Sequence, residues 1–342
     1  MLRVMHTRLQ AARFLMVFLT GVVLMGEGGL KGADRVSEPR VPPVVTKSDV
    51  DRWMTELSNW GRWGKEDQMG TLNLLTAARR AASARLVREG VSFSLAHDAL
   101  TVRAADNLVP FGHQMLRTGT KDPDGASDLL TINYHGYTIT HLDALCHAFY
   151  QGKMYNGYPR ELVTDGGAAK LGIEKLRDGI FGRAVLFDIP RLRGEYFLEP
   201  GTPILVQDLE DWEKHTGLTL KPGDILLVRT GRWARRANKG PWDMAKIAGL
   251  HASCAPWLRK RDIAILGSDA ASDVVPSGVE GVAMPIHQIA IIALGTWILD
   301  NLDLEAVSAA AQARKRWDFL LHVAPLPVVG GTGSPINPVA TF

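Results

Sequence analysis

The chain is poor in cysteine, with two among 342 residues, and Cys146 and Cys254 lie far apart. That excludes a disulfide framework and a zinc knuckle, so any bound metal must take its ligands from His and carboxylate side chains. Excess charge is also lacking: 39 basic residues stand against 36 acidic ones, and part of the small positive balance falls in the first forty residues. Nucleic acid is therefore not an expected partner. No Gly-x-Gly-x-x-Gly follows a strand pattern, which argues against a nucleotide-binding doubly wound sheet. Internal repeats and low-complexity tracts are missing as well. What remains is 46% hydrophobic and 22% charged, the profile of a folded globular protein long enough to bury a large core.

The N-terminus stands apart. Arg3, Arg8 and Arg13 precede an apolar run from Phe14 to Met25, followed by a Gly-rich polar stretch. This is the layout of a secretory signal peptide. The run is about half the roughly 20 residues of a spanning helix, so no stable membrane span is expected. Export to the periplasm or beyond is the expectation, and a start codon placed too far upstream would leave the protein cytoplasmic. Residues 1–36 are read as this signal-like segment with the start of a linker, and 37–342 as one domain.

Within that domain Ser48 opens a helix carrying Val50, Trp53, Met54 and Leu57 at helical spacing. Thr76–Glu89 reads as a second helix closed by Gly90. Val91–Leu95, Leu129–His141, Arg183–Ile189, Ile225–Thr230 and Ile263–Gly267 read as strands. Further helices are expected over Val206–Thr216 and Pro285–Leu294, the latter stopped by Gly295.

Metal-ligand chemistry is concentrated between Tyr134 and His147. Side chains two apart on a strand share a face, so His141 and Asp143 can converge on one ion. An imidazole and a carboxylate suit Zn²⁺ or Mn²⁺ and leave positions open for water and substrate. His147 lies just beyond, within short reach. Cys146 beside it is read as a small buried thiol, because sequence neighbours point apart.

The stretch Thr140-His-Leu-Asp-Ala-Leu-Cys-His147 resembles the signature of the cyclase family that includes kynurenine formamidases and isatin hydrolases, His-x-Gly-Thr-His-x-Asp-x-Pro-x-His. Asn59-Trp-Gly-Arg-Trp-Gly64, Gly70-Thr-Leu-Asn-Leu-Leu75, Gly152-Lys-Met-Tyr-Asn-Gly157, Gly223-Asp-Ile-Leu-Leu-Val-Arg-Thr-Gly231, Gly267-Ser-Asp269, Pro285-Ile-His287 and Gly330-Gly-Thr-Gly-Ser-Pro335 resemble its longer branch. The resemblance implies an α/β fold of the swivelling β/β/α type, a single domain, and a divalent metal, Mn²⁺ or Zn²⁺. It also implies a small-molecule substrate and a homodimer or homotetramer. Carried over position by position, His141 and Asp143 are metal ligands, and His147 is the general acid/base or a ligand to a second ion. His287 lies near the metal, and Asp300 stands where formamidases carry a Glu.

One departure is plain. The first signature His falls on Tyr137, whose phenol, with a pKa near 10, is a poor ligand at pH 7. His135, two residues back and on the same expected strand face, is the candidate replacement. The activity implied is hydrolysis of an amide, formamide or lactam, with a non-catalytic binder or a metal-assisted cyclase or dehydratase as alternatives. Trp60, Trp63, Tyr137 and Tyr155 are candidate pocket walls for a flat substrate. Arg229 and Arg232, at a strand end, could meet a carboxylate. His251, Asp269 and Asp273 are candidates to support the site, and His322 reads as structural.

Overall fold

The computed structural model describes residues 40–342; the signal-like segment lies outside them. Among these residues nine strands form one mixed sheet. Its middle is parallel: Ile180–Asp188, Ile225–Arg229, Ile265–Ser268 and Trp297–Asp300 lie side by side in that order. Such strands are covered on both faces and need continuous apolar sequence, and Ile225–Arg229, Ile265–Ser268 and Trp297–Asp300 are buried at every position. Antiparallel strands complete both flanks. Asp318–Val323, Val339–Thr341 and Ser92–Ser94 extend one side, and His141–Asp143 followed by Gly333–Pro335 extends the other.

The helix Val206–Thr216 has the expected bounds. Its Trp212 is fully buried and donates an indole N–H to the Leu186 carbonyl at 2.9 Å, fixing the helix on the sheet. The first helix runs Lys47–Glu56 and is capped by Thr46, two residues before Ser48. Thr46 Oγ1 accepts from Asp49 N at 3.2 Å, and Asp49 Oδ2 accepts from Thr46 N at 2.9 Å, a reciprocal capping box. No helix among the described residues is long and apolar enough to cross a membrane.

Three expected elements differ. The second helix stops at Ala84; Glu89 and Gly90 instead donate to the terminal Phe342 carbonyl, tying the chain end to the sheet edge. Pro285–Leu294 starts as an α-helix over Pro285–Gln288 and widens to a π-helix over Ile289–Leu294, with Gly295 at φ 66° ending it. The expected strand Leu129–His141 is two pieces. Ser127–Thr131 pairs with Gly112–Arg117 in an exposed hairpin, His141–Asp143 enters the main sheet, and residues 132–140 form a loop between them. The loop escapes the ladder because side chains and turns take its backbone groups. Asn301 donates to the carbonyls of Gly136 and Ile139, and Gly136 N bonds the Tyr134 carbonyl.

Gly295 is tightly packed. A Cβ there would lie 2.3 Å from Tyr155 Cε2, at a φ that L side chains avoid. Gly295→Ala is expected to destabilise the fold by about 2–4 kcal/mol, the sum of overpacking and left-handed strain. Denaturant unfolding checks this, and a loss below about 1 kcal/mol would show that Tyr155 can move aside.

Candidate metal centre

Register places the first three residues. His141 pairs with Asp300 and Asp143 with Ile298 across antiparallel strands, so His141, Asp143 and Asp300 project from one face of the sheet. Leu142, between them, turns into the core and is fully buried.

Asp143 is the centre of the cluster. Its carboxylate lies 3.0 Å from His135 Nδ1, 3.4 Å from His141 Nε2, 3.8 Å from His287 Nε2 and 4.0 Å from His147 Nε2. Two groupings have ligand atoms close enough for one ion: His135, Asp143 and His147, and His141, Asp143 and Asp300. His135 thus reaches the cluster, but from a loop rather than from a strand face. Its Nε2 bonds Thr332 Oγ1 at 3.0 Å and its ring stacks on His147 at 4.0 Å. Sequence reasoning passed over Thr332, although it sits in the glycine-rich closing motif.

Two imidazoles have their far nitrogens fixed. His141 Nδ1 donates to the Ile139 carbonyl at 2.8 Å. His287 Nδ1 pairs with Asp273 Oδ2 at 2.7 Å, and Asp273 also accepts from the Ile286 and His287 backbone N–H groups. In neutral His141 this leaves the Nε2 lone pair turned to the cluster, the tautomer metal ligation requires. Asp300 Oδ2 lies 3.2 Å from His287 Nε2. Buried Asp143 Oδ1 and Asp300 Oδ1 have no hydrogen-bond partner among the described residues. Leaving two carboxylate oxygens so exposed to a low-dielectric interior is costly. A cation removes that cost, so the donor set fits a divalent ion.

The same charges set the protonation pattern. Burial works against His287 carrying charge, yet Asp300 and Asp273 outweigh it and raise its pKa well above 6.5. His141 is raised in the same way, its burial outweighed by Asp143. Burial also opposes the Asp143 charge, but His141 and His135 hold its carboxyl well below the usual range. His147 goes the other way: burial, helped by the charges of His135, His287 and His141, lowers it despite Asp143. Its side chain is 32% exposed, against 4% for His141 and 9% for His287.

Asn301 holds the loop that carries His135. Fully buried at φ 55°, it donates to Gly136 O at 2.7 Å and Ile139 O at 3.2 Å. Its own carbonyl accepts from Thr140 Oγ1 at 2.7 Å, and Arg232 Nη1 donates to its Oδ1 at 2.6 Å. Nothing in the sequence marks Asn301 beyond its place next to Asp300. Asn301→Ala is expected to weaken divalent-ion affinity by about 10–100-fold, the usual scale for a residue that orients a ligand. Metal titration by calorimetry reads this out, and an unchanged affinity would mean that His135 holds its place without the amide.

Other candidates are placed elsewhere. Tyr155 is fully buried against Gly295 and bonds Asp67 Oδ2 at 2.9 Å, so it is not a pocket wall. Trp60 donates to the Ile292 carbonyl, and Trp63 lies under Arg62. Tyr137 packs against an apolar cluster of Met244, Ile247, Ala270 and Ala271, joined by Trp242 and Met284. Asp269 accepts from the backbone of Thr230, Gly231 and Arg232 and caps that turn. Arg229 is paired with Asp188 and Glu305. His251 bonds Ser253, and His322 is exposed on its strand.

Residues 84–273, more than half of the chain, match the cyclase family model. The chain belongs to the cyclase family. A solved structure of a novel cyclase shares 32% identity with it, covering 84% of this chain and all of the other at a TM-score of 0.77. Isatin hydrolase A from Ralstonia solanacearum shares its fold at 21% identity and a TM-score of 0.53, over 77% of this chain and 95% of its own. An isatin hydrolase bound to the product analogue thioisatinate is similar at 19% identity and a TM-score of 0.52, over 78% of this chain and 98% of its own. No curated protein sequence matches. In this member of the family His135 lies beside Asp143, 3.0 Å from its carboxylate.

Proposed function

We propose that the chain is a metal-dependent hydrolase that opens an amide, formamide or lactam C–N bond of a small substrate. The observation that carries this reading is the convergence of four imidazoles on Asp143, beside two buried carboxylate oxygens that lack hydrogen-bond partners among the described residues. His141, Asp143 and Asp300, with His135 beside Asp143, would hold a divalent ion, Mn²⁺ or Zn²⁺ by donor type. Such an ion supplies Lewis acidity, lowering the pKa of water and polarising a carbonyl.

The protein's own groups handle the protons. His147, neutral near pH 7 and with the most exposed side chain of the imidazoles bearing on Asp143, takes the proton of the attacking water and returns it to the leaving nitrogen. His287, held between Asp273 and Asp300, keeps its proton and orients the opposite side. The isatin hydrolases among the fold relatives favour a lactam over a linear amide as the first compound to try.

The test is a panel of aryl formamides and cyclic amides assayed with and without chelator. Chelator-sensitive turnover supports the hydrolase. Product formed without net addition of water would favour a cyclase or dehydratase, and ligand capture with no turnover and no metal would leave a binding protein.

Linkage gives the metal-free protein a defined pH response. A His whose pKa is raised by folding stabilises fully below its unfolded value of 6.5, and that contribution is lost as pH rises through the folded value. His287 and His141 both have this sign, and His147 has the opposite one. The metal-free protein should therefore lose stability from about pH 6.5 upward. Thermal melts across that range check it, and a flat or rising stability would contradict the assigned protonation.

A further inference from the structure

The far side of the Asn301 clamp ends in a buried guanidinium. Arg232 opens the helix Arg232–Lys239 and is 3% exposed. Nη1 is engaged with Asn301, whereas Nε and Nη2 are buried with no hydrogen-bond partner among the described residues. These two N–H groups lie on one edge of the planar group and point in parallel, the fork that binds anions.

The nearby carboxylates do not fill that fork. Asp106 Oδ2 lies 3.9 Å from Nη2, but both Asp106 oxygens take bonds from Arg236, at 2.6 and 3.2 Å. Asp269 is occupied by Thr230, Gly231 and the Arg232 backbone. Burial accordingly pushes the Arg232 pKa down to about 10, although Asp106 and Asp269 act in the opposite sense. The indoles of Trp233 and Trp242, 4.6 and 5.8 Å away, flank the guanidinium.

Beside it lies a cavity of about 10 Å³, lined by Thr230, Arg232, Trp242, Ile247, Ala248 and Ala270. Arg232 is its one charged lining residue. The volume is on the order of a single water-sized particle. Pro200 and Trp242 also border a surface groove of about 430 Å³ in which Arg235 and Lys246 lie, together with Glu199 and Asp243. A one-atom ion has a short way in, past Trp242.

We propose that the Nε/Nη2 edge of Arg232 and this cavity form a binding site for a small inorganic monoanion of halide size. A water could satisfy the two donors, whereas a halide satisfies them and also adds negative charge beside a guanidinium whose burial Asp106 and Asp269 only partly offset. Bulkier oxyanions exceed the cavity. Because Nη1 of the same guanidinium grips Asn301, an occupied site stiffens the clamp on the 132–140 loop. The inference stands whether or not the chain is a hydrolase.

The experiment is thermal unfolding of the full chain in rising potassium chloride against potassium gluconate at constant ionic strength. A saturable rise of about 2 °C or more in chloride and bromide, absent in gluconate and sulfate, is expected. Arg232→Gln should abolish it. Should that variant fail to fold, Ala248→Val decides, because it fills the cavity while leaving Arg232 bonded to Asn301. Loss of the halide response in Ala248→Val, with a bromide anomalous peak at the fork in wild-type crystals, supports the site. An equal response to gluconate, a full response in Ala248→Val, or no bromide peak overturns it.

Discussion

Asp143→Ala is expected to strip the protein of its divalent ion and to lower turnover at least about a thousandfold, the scale of losing a preorganised electrostatic element. Four imidazole nitrogens lie within 4.0 Å of this one carboxylate, and it belongs to both ligand groupings. No neighbour can replace it, because Asp300, the other carboxylate of the grouping, lies on the adjacent strand and is held toward His287. Elemental analysis of wild type and variant, both purified without chelator, gives the answer directly. About one ion per chain in the wild type and none in the variant is the expected pair of results. Equal metal content in the two would remove Asp143 from the centre of the site.

His147→Ala should separate chemistry from metal binding. Turnover is expected to fall about 10²–10⁴-fold, the usual contribution of a general acid/base, while metal content stays near the wild-type value. Burial and three neighbouring imidazoles lower the His147 pKa. The acid limb of the wild-type pH profile should therefore lie below the ordinary imidazole value, and the variant should lack it. Metal and activity lost together would make His147 a ligand, completing the grouping with His135 and Asp143.

His135 shows how sequence and structure divided the work. The expected mismatch at Tyr137 pointed to a substitute ligand, and His135 was the nearest imidazole. Shared strand face was the wrong reason, since residues 132–140 leave the sheet. The ring arrives because Asn301 holds the Gly136 and Ile139 carbonyls and Thr332 holds Nε2. Those partners are 165, 162 and 197 residues distant in sequence, beyond the reach of any local pattern. Aromatic residues were harder still to read: Tyr137 and Tyr155 carry the same chemistry, yet one borders an apolar cluster beyond the site and the other fills the core under Gly295.

By itself the sequence determined three of the four parallel strand cores, the Val206–Thr216 helix and the facing of His141 with Asp143, because each depends on periodicity within a few residues. It also carried the family, through motifs spread along the domain. Only the tertiary structure decided that Asp300 meets His141 across a strand pair, that Asp273 fixes His287, and that Arg232 is left with an open edge. Those facts depend on which distant backbones are brought together, and on how many hydrogen-bond partners remain once the chain has closed.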